Sequence, residues 1–290
     1  MTVLWHPWPV TFLSEMDEVT GLVDAEKVRE KGLELRKSYL AAQPFPHIVI
    51  DDFLPAALLE RCLAEFPTGN ASIIEAFDRK QERSKRGFTP DTLPPFSRHL
   101  FYAFNSRPFI RIVENIAGIQ GLIPDPYFEG GGYHEIAQGG HLSVHADFNY
   151  HAPLNLERRI NVLIYLNKDW KDEYGGQLEL WDNDMKACME SIVPVFNRCV
   201  IFNTTSTSNH GNPQPIKHPD GRGRRSIALY YYTATWAGAK RMHTTKFRVR
   251  PGEKEDAPDF KSRGLDAVAD VIPPVLYRRL VHSALKRSGR

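Results

Sequence analysis

The chain has 290 residues, of which 42% are hydrophobic and 25% charged, enough to bury a large core. Its formal net charge is only +2, which gives no reason to expect a nucleic-acid partner. No apolar run approaches the ~20 residues that span a bilayer, and the first twenty residues lack a basic start and a long apolar stretch, so neither a membrane span nor a secretory signal is expected.

Residues 24–43 read as a helix, with Asp24 as its N-cap and Val28, Leu35 and Tyr39 at helical spacing. FPHIVIDDF (45–53) is a β-rich run. LPAALLERCLAEF (54–66) reads as a second helix, with Pro55 near the first position, where its missing N–H costs least. Leu58, Leu59, Cys62, Leu63 and Phe66 form its apolar stripe, which makes Cys62 a core residue. DRKQERSKRGFTPDTLPP (78–95) reads as a solvated loop in preference to a phosphate-binding segment. FIRIVENIAGI (109–119) has the pattern of an amphipathic helix.

From about residue 126 the character changes. INVLIYLN (160–167), GGQLELW (175–181), SIVPVF (191–196), RCVIFNT (198–204) and RSIALYYYT (225–233) are short β-rich runs separated by turn residues. Helices first and strands afterwards predict an α+β fold, with helices covering one face of a β core. The expected organisation is a helical segment (1–44), a β domain (45–237) and a C-terminal extension (238–290) carrying a helix over 275–288. On that helix Arg278, Arg279, Lys286 and Arg287 read as a solvated face. Cys62, Cys188 and Cys199 are odd in number and widely spaced, which predicts free thiols and a reducing, cytoplasmic setting. Oligomeric state has no signature in the sequence.

The chemistry gathers around HADF (145–148). Residues two apart on a strand share a side, so His145 and Asp147 can reach one metal ion together. His210, just after RCVIFNT, supplies a second imidazole. Two histidines and one carboxylate that leave coordination positions open make the facial triad of non-haem Fe(II) oxygenases, although zinc tolerates the same ligands. Arg225 opens the strand RSIALYYYT, and its planar fork matches a carboxylate bidentately. It is preferred to its neighbours Arg222 and Arg224 as the partner of a dicarboxylate such as 2-oxoglutarate. His141 and His151 flank the motif and are read as loop or supporting residues. Gly139–Gly140 and Gly175–Gly176 are read as turns, and Trp170, Trp181 and Trp236 as core or pocket walls. Of Tyr230, Tyr231 and Tyr232, strand alternation allows only some to face the site.

The set His145-x-Asp147, His210 and Arg225, with INVLIYLNKDW and GGQLELW between them and FPHIVIDDFLP before them, resembles the prolyl-4-hydroxylase-like branch of the 2-oxoglutarate/Fe(II) oxygenases. The resemblance covers roughly residues 40–235. It implies a double-stranded β-helix, a cupin-like jelly roll. It also implies Fe(II), 2-oxoglutarate and O₂, with ascorbate as an accessory reductant. The implied reaction is hydroxylation of an amino-acid, peptidyl or other small-molecule C–H bond, with release of succinate and CO₂. Asp147 matters to that outcome, since related halogenases carry a small residue in its place. The resemblance assigns Tyr165 to the far carboxylate of the cosubstrate. Asn161 and Leu163 share its strand face, so Asn161 is a further candidate for the pocket, with a strand-end hydrogen bond as the alternative. Leu229 departs from the family, which often has a hydroxyl residue four positions after the arginine. Loops 70–100 and 148–158 are the expected selectors of substrate. The rival readings are a cupin-like metal-dependent hydrolase or isomerase, and a non-catalytic binding domain on the same fold.

Overall fold

The computed structural model describes residues 11–68, 75–234, 246–248 and 250–252. The C-terminal helix expected over 275–288, its basic residues and Trp236 lie outside that range.

Among the described residues four α-helices and thirteen strands form, besides three short 3-10 turns. The helices are α1 (Arg36–Ala41), α2 (Ala56–Ala64), α3 (Pro95–Phe104) and α4 (Arg107–Ala117). The first strands are β1 (His47–Ile50), β2 (Glu75–Phe77), β3 (Glu82–Phe88), β4 (Ile123–Pro124), β5 (Gly132–Ala146), β6 (Tyr150–His151) and β7 (Leu156–Tyr165). The remainder are β8 (Leu178–Trp181), β9 (Cys188–Ile192), β10 (Cys199–Asn203), β11 (His210–Asn212), β12 (Arg224–Ala234) and β13 (Lys246–Phe247). The main sheet runs β1-β10-β7-β12-β5-β11-β8-β9, and its pairings are antiparallel. It is a curled sheet of the jelly-roll kind, as expected.

Strand alternation divides this sheet between stability and chemistry. On β7, Ile160, Val162 and Ile164 point toward the helices, as do Cys199 and Ile201 of β10 and Ile227, Leu229 and Tyr231 of β12. They pack with Leu58, Leu59 and Cys62 of α2, Phe101 and Phe104 of α3, and Phe109, Ile112 and Ile116 of α4. Burying each such side chain contributes about 1.5–3 kcal/mol. The alternate residues, including Tyr165, Val200 and Phe202, face the inside of the curl with Leu178, Leu180 and Ile192.

Local sequence explains most helix bounds. α4 has a proline in its first turn and ends on Gly118 at φ 71°, the left-handed position that glycine reaches without strain. Phe109, Ile112, Val113 and Ile116 are its buried stripe. The helix expected over 24–43 is corrected to residues 36–41, preceded by turns. Asp24 does cap, accepting bonds from the backbone N–H of Glu26 and Lys27. The break is Gly32, at φ 88°, where a Cβ would lie 2.6 Å from Ile116. The apolar spacing still served burial, since Val28, Leu35 and Tyr39 are all in the core.

The loop expected over 78–95 is also corrected. Its centre is β3, which pairs with β2 and with the long strand β5. Backbone pairing does not require apolar side chains, and the charges of β3 find partners. Lys85 meets Glu82 at 3.2 Å, and Arg86 pairs with the buried Glu135 of β5. Gly139 and Gly140 belong to β5 itself, beside a register shift between Arg83 and Lys85.

Candidate active site

β5 ends at Ala146 and β11 begins at His210, which pairs directly with His145. Sheet register thus places the two imidazoles side by side, with ring centroids 4.6 Å apart. Asp147 follows immediately after β5. One ligand atom from each of His145, Asp147 and His210 lies within 4.8 Å of the others, and all three residues are buried. This cluster, as found among the described residues, includes no fourth His, Cys, Asp or Glu, so it does not close in the manner of a structural zinc site.

The imidazoles are oriented for a metal. His145 Nδ1 donates to the Ser143 carbonyl at 2.8 Å, and His210 Nδ1 donates to the Ser208 carbonyl at 2.9 Å. A carbonyl only accepts, so each Nδ1 carries the proton and each Nε2 keeps its lone pair. Those Nε2 atoms flank the carboxylate, His145 at 3.5 Å from Oδ1 and His210 at 3.4 Å from Oδ2 of Asp147. Burial alone would raise the Asp147 carboxyl, but the charge of the Arg158 guanidinium holds it well below the ordinary carboxylate range.

Burial pushes His210 down to about 4, against the pull of Asp147. Folded His210 therefore stays neutral where an unfolded histidine, with its ordinary value near 6.5, takes a proton. The unfolded chain binds more protons in that window, so the metal-free protein loses stability as pH falls from 7 to 5. The loss is on the order of 2 kcal/mol at pH 5 from this ring. His134, held down to about 3 mainly by burial, acts in the same direction. Urea unfolding at the two pH values checks this; equal midpoints would refute it.

The arginine facing the metal cluster is Arg224, and the assignment to Arg225 is corrected. Arg224 lines the same pocket as His145, Asp147 and His210. Its Nε donates to the Gly176 carbonyl at 2.8 Å and its Nη2 to the Tyr165 hydroxyl at 3.1 Å. Gly176 is needed for that approach, because a Cβ there would sit 2.5 Å from Ile216 and 3.0 Å from Arg224. Arg225 points to the opposite face. Its Nε donates to Glu135 at 2.9 Å, and its guanidinium lies 4.4 Å from the Phe66 ring centroid. Alternation is the reason: Arg224, Ser226, Ala228 and Tyr230 share one side of β12, while Ile227, Leu229 and Tyr231 enter the helix-side core. Leu229 is accordingly a core residue, and Ser226 is a hydroxyl lining the pocket two positions after Arg224.

Tyr165 therefore lies beside the pocket arginine. Asn161 lines the pocket too, but its contacts give it a different place. Its Nδ2 donates to Asp147 Oδ2 at 2.7 Å, and its Oδ1 accepts from Arg158 and Thr204. Tyr230 lines the pocket, whereas the Tyr231 hydroxyl donates to the Phe104 carbonyl. His141 lies within β5, its ring bonded to the Lys80 carbonyl, and His151 is buried beside Asp125 and Tyr232. Neither joins the metal cluster.

Sequence reading missed Arg158. Strand parity from Asn161 would point it away from the site, but the β7–β12 register shifts between Tyr231 and Tyr232. This bulge turns Arg158 inward, and its Nη2 meets Asp147 Oδ2 at 3.0 Å.

Residues 131–239, which contain the two histidines, the aspartate and Arg224, match the model of the 2OG-Fe(II) oxygenase superfamily. That segment, rather more than a third of the chain, is similar to the 2OG-Fe(II) oxygenases. The chain is 30% identical over 79 residues to prolyl 3-hydroxylase OGFOD1 of Mus musculus, a match covering 26% of this chain and 14% of that protein. The chain thus spans only a small part of the curated relative's length. The fold is similar to that of a prolyl-4-hydroxylase from Pseudomonas putida, with a TM-score of 0.51 and 18% identity over 70% of this chain and 100% of the other. The donor set, two imidazoles and one carboxylate with room beside them, fits Fe(II).

Proposed function

We propose that the protein is an Fe(II)- and 2-oxoglutarate-dependent dioxygenase that hydroxylates a C–H bond of a peptidyl or other small-molecule substrate, releasing succinate and CO₂. The observation that carries this reading is Arg224. It is a buried cation beside the metal cluster, with neutral oxygens as its hydrogen-bond partners and no carboxylate paired with it among the described residues. A buried guanidinium without an anion is costly unless a ligand brings one. A dicarboxylate suits this arrangement, one end at the metal and the other at Arg224, Tyr165 and Ser226.

Iron, when bound, supplies the oxygen activation that no side chain provides. His145, Asp147 and His210 hold it, and the backbone carbonyls of Ser143 and Ser208 fix the two imidazoles. Phe202 packs on the edge of His210, with centroids 4.7 Å apart, and keeps that side of the ligand dry. Both relatives are named as prolyl hydroxylases, which makes a peptidyl proline the first substrate to test.

The test is anaerobic addition of 2-oxoglutarate to the Fe(II)-loaded protein. A weak visible charge-transfer band is expected, followed in air by succinate release that a proline-containing peptide stimulates. Iron-loaded protein that gives no band and releases no succinate would sink the reading and favour a metal-dependent hydrolase.

A further inference from the structure

Arg158 is 1% exposed, and its surroundings are built around its charge. Its guanidinium lies over two rings, 3.5 Å from the Tyr230 centroid and 4.5 Å from that of Phe148. Nε and Nη2 donate to Asn161 Oδ1 at 3.0 and 2.8 Å, and Nη2 also reaches Asp147 Oδ2 at 3.0 Å. Asn161 Nδ2 donates to that same Oδ2. Oδ2 of the carboxylate is thus engaged by two donors from β7 and lies 3.4 Å from His210 Nε2, while Oδ1 lies 3.5 Å from His145 Nε2.

We propose that Arg158 is a positioning residue that fixes the Asp147 carboxylate in the metal cluster and makes the loaded site selective for anions. The inference rests on the iron and 2-oxoglutarate reading. Its physical basis is charge. Arg158 neutralises Asp147, so a divalent ion entering the site keeps both its positive charges unbalanced by protein. In a buried site that excess weakens metal binding and strengthens the binding of a dianion at the open positions. The guanidinium is permanently charged, so the effect does not depend on pH. The two rings hold the group in place, and the hydrogen bond from Asn161 fixes which oxygen it engages.

The two effects have opposite signs, and this separates the proposal from a purely structural role. The experiment titrates the full metal-free chain with Mn(II), then titrates the Mn(II)-loaded protein with 2-oxoglutarate, for wild type, Arg158→Gln and Arg158→Lys. Arg158→Gln is expected to bind Mn(II) several-fold more tightly and 2-oxoglutarate about tenfold more weakly. Arg158→Lys, which keeps the charge, is expected to recover most of the 2-oxoglutarate affinity. Loss of both affinities together in Arg158→Gln, or no change in 2-oxoglutarate affinity, would overturn the proposal. If wild type binds Mn(II) but ignores 2-oxoglutarate, the cosubstrate reading fails on its own. The Mn(II) arm then decides for Arg158, tighter binding in Arg158→Gln supporting it and weaker or equal binding overturning it.

Discussion

Arg224→Ala is expected to raise the 2-oxoglutarate concentration for half-saturation by about 10- to 100-fold, while Arg225→Ala leaves it close to wild type. A charge-assisted hydrogen bond to a carboxylate contributes about 1.5–3 kcal/mol, and removing the guanidinium forfeits it. Arg224→Lys is expected to fall between, because an ammonium keeps the charge but loses the fork. Arg225→Ala is expected to fail differently. It leaves Glu135, 3% exposed, with Arg86 as its remaining ion-pair partner among the described residues, so the cost appears in the denaturant midpoint and not in cosubstrate affinity. Titration of both variants with 2-oxoglutarate, monitored by succinate release, checks the pair. The reverse pattern would return the carboxylate to Arg225 and contradict the strand parity described above.

The second large effect is at the metal. His210→Ala is expected to lower Mn(II) affinity by at least about a thousandfold and to bring succinate release to background. Removing one of three ligands leaves too few donors to hold the ion, and Asp147 loses the neighbour at 3.4 Å that helps fix its orientation. His141→Ala and His151→Ala, which remove histidines outside the cluster, are expected to keep the metal. Calorimetric Mn(II) titration distinguishes these cases. Tight stoichiometric binding in His210→Ala would mean that the ion sits elsewhere.

What was legible in the sequence divides along physical lines. His145, Asp147 and His210 could be read because the ligands adjoin strand ends, where spacing by two and the order of strands determine which side chains meet. Arg225 was chosen over Arg224 because it begins the apolar run. The better signal was the alternation within that run: small or polar Ser226 and Ala228 mark the pocket side, and Arg224 shares their parity. Arg158 had no such signal, because a bulge reverses parity between it and Asn161. The strand β3 was hidden by its charges, whose partner Glu135 lies 49 residues from Arg86 in sequence. The first helix was overestimated because one glycine, Gly32, outweighs a favourable apolar spacing when its neighbour is the packed side chain of Ile116.

The two-sided strands β7 and β12 have a consequence for how such a protein changes over time. Ile160, Val162, Ile164, Ile227 and Leu229 sustain the packing against the helices, while Leu163, Ser226 and Tyr230 line the pocket from the same two strands. Drift at the second set can reshape what the pocket accepts while the scaffold keeps its cohesion. Substrate range and durability are therefore separable traits here, carried on alternate residues of the same strands.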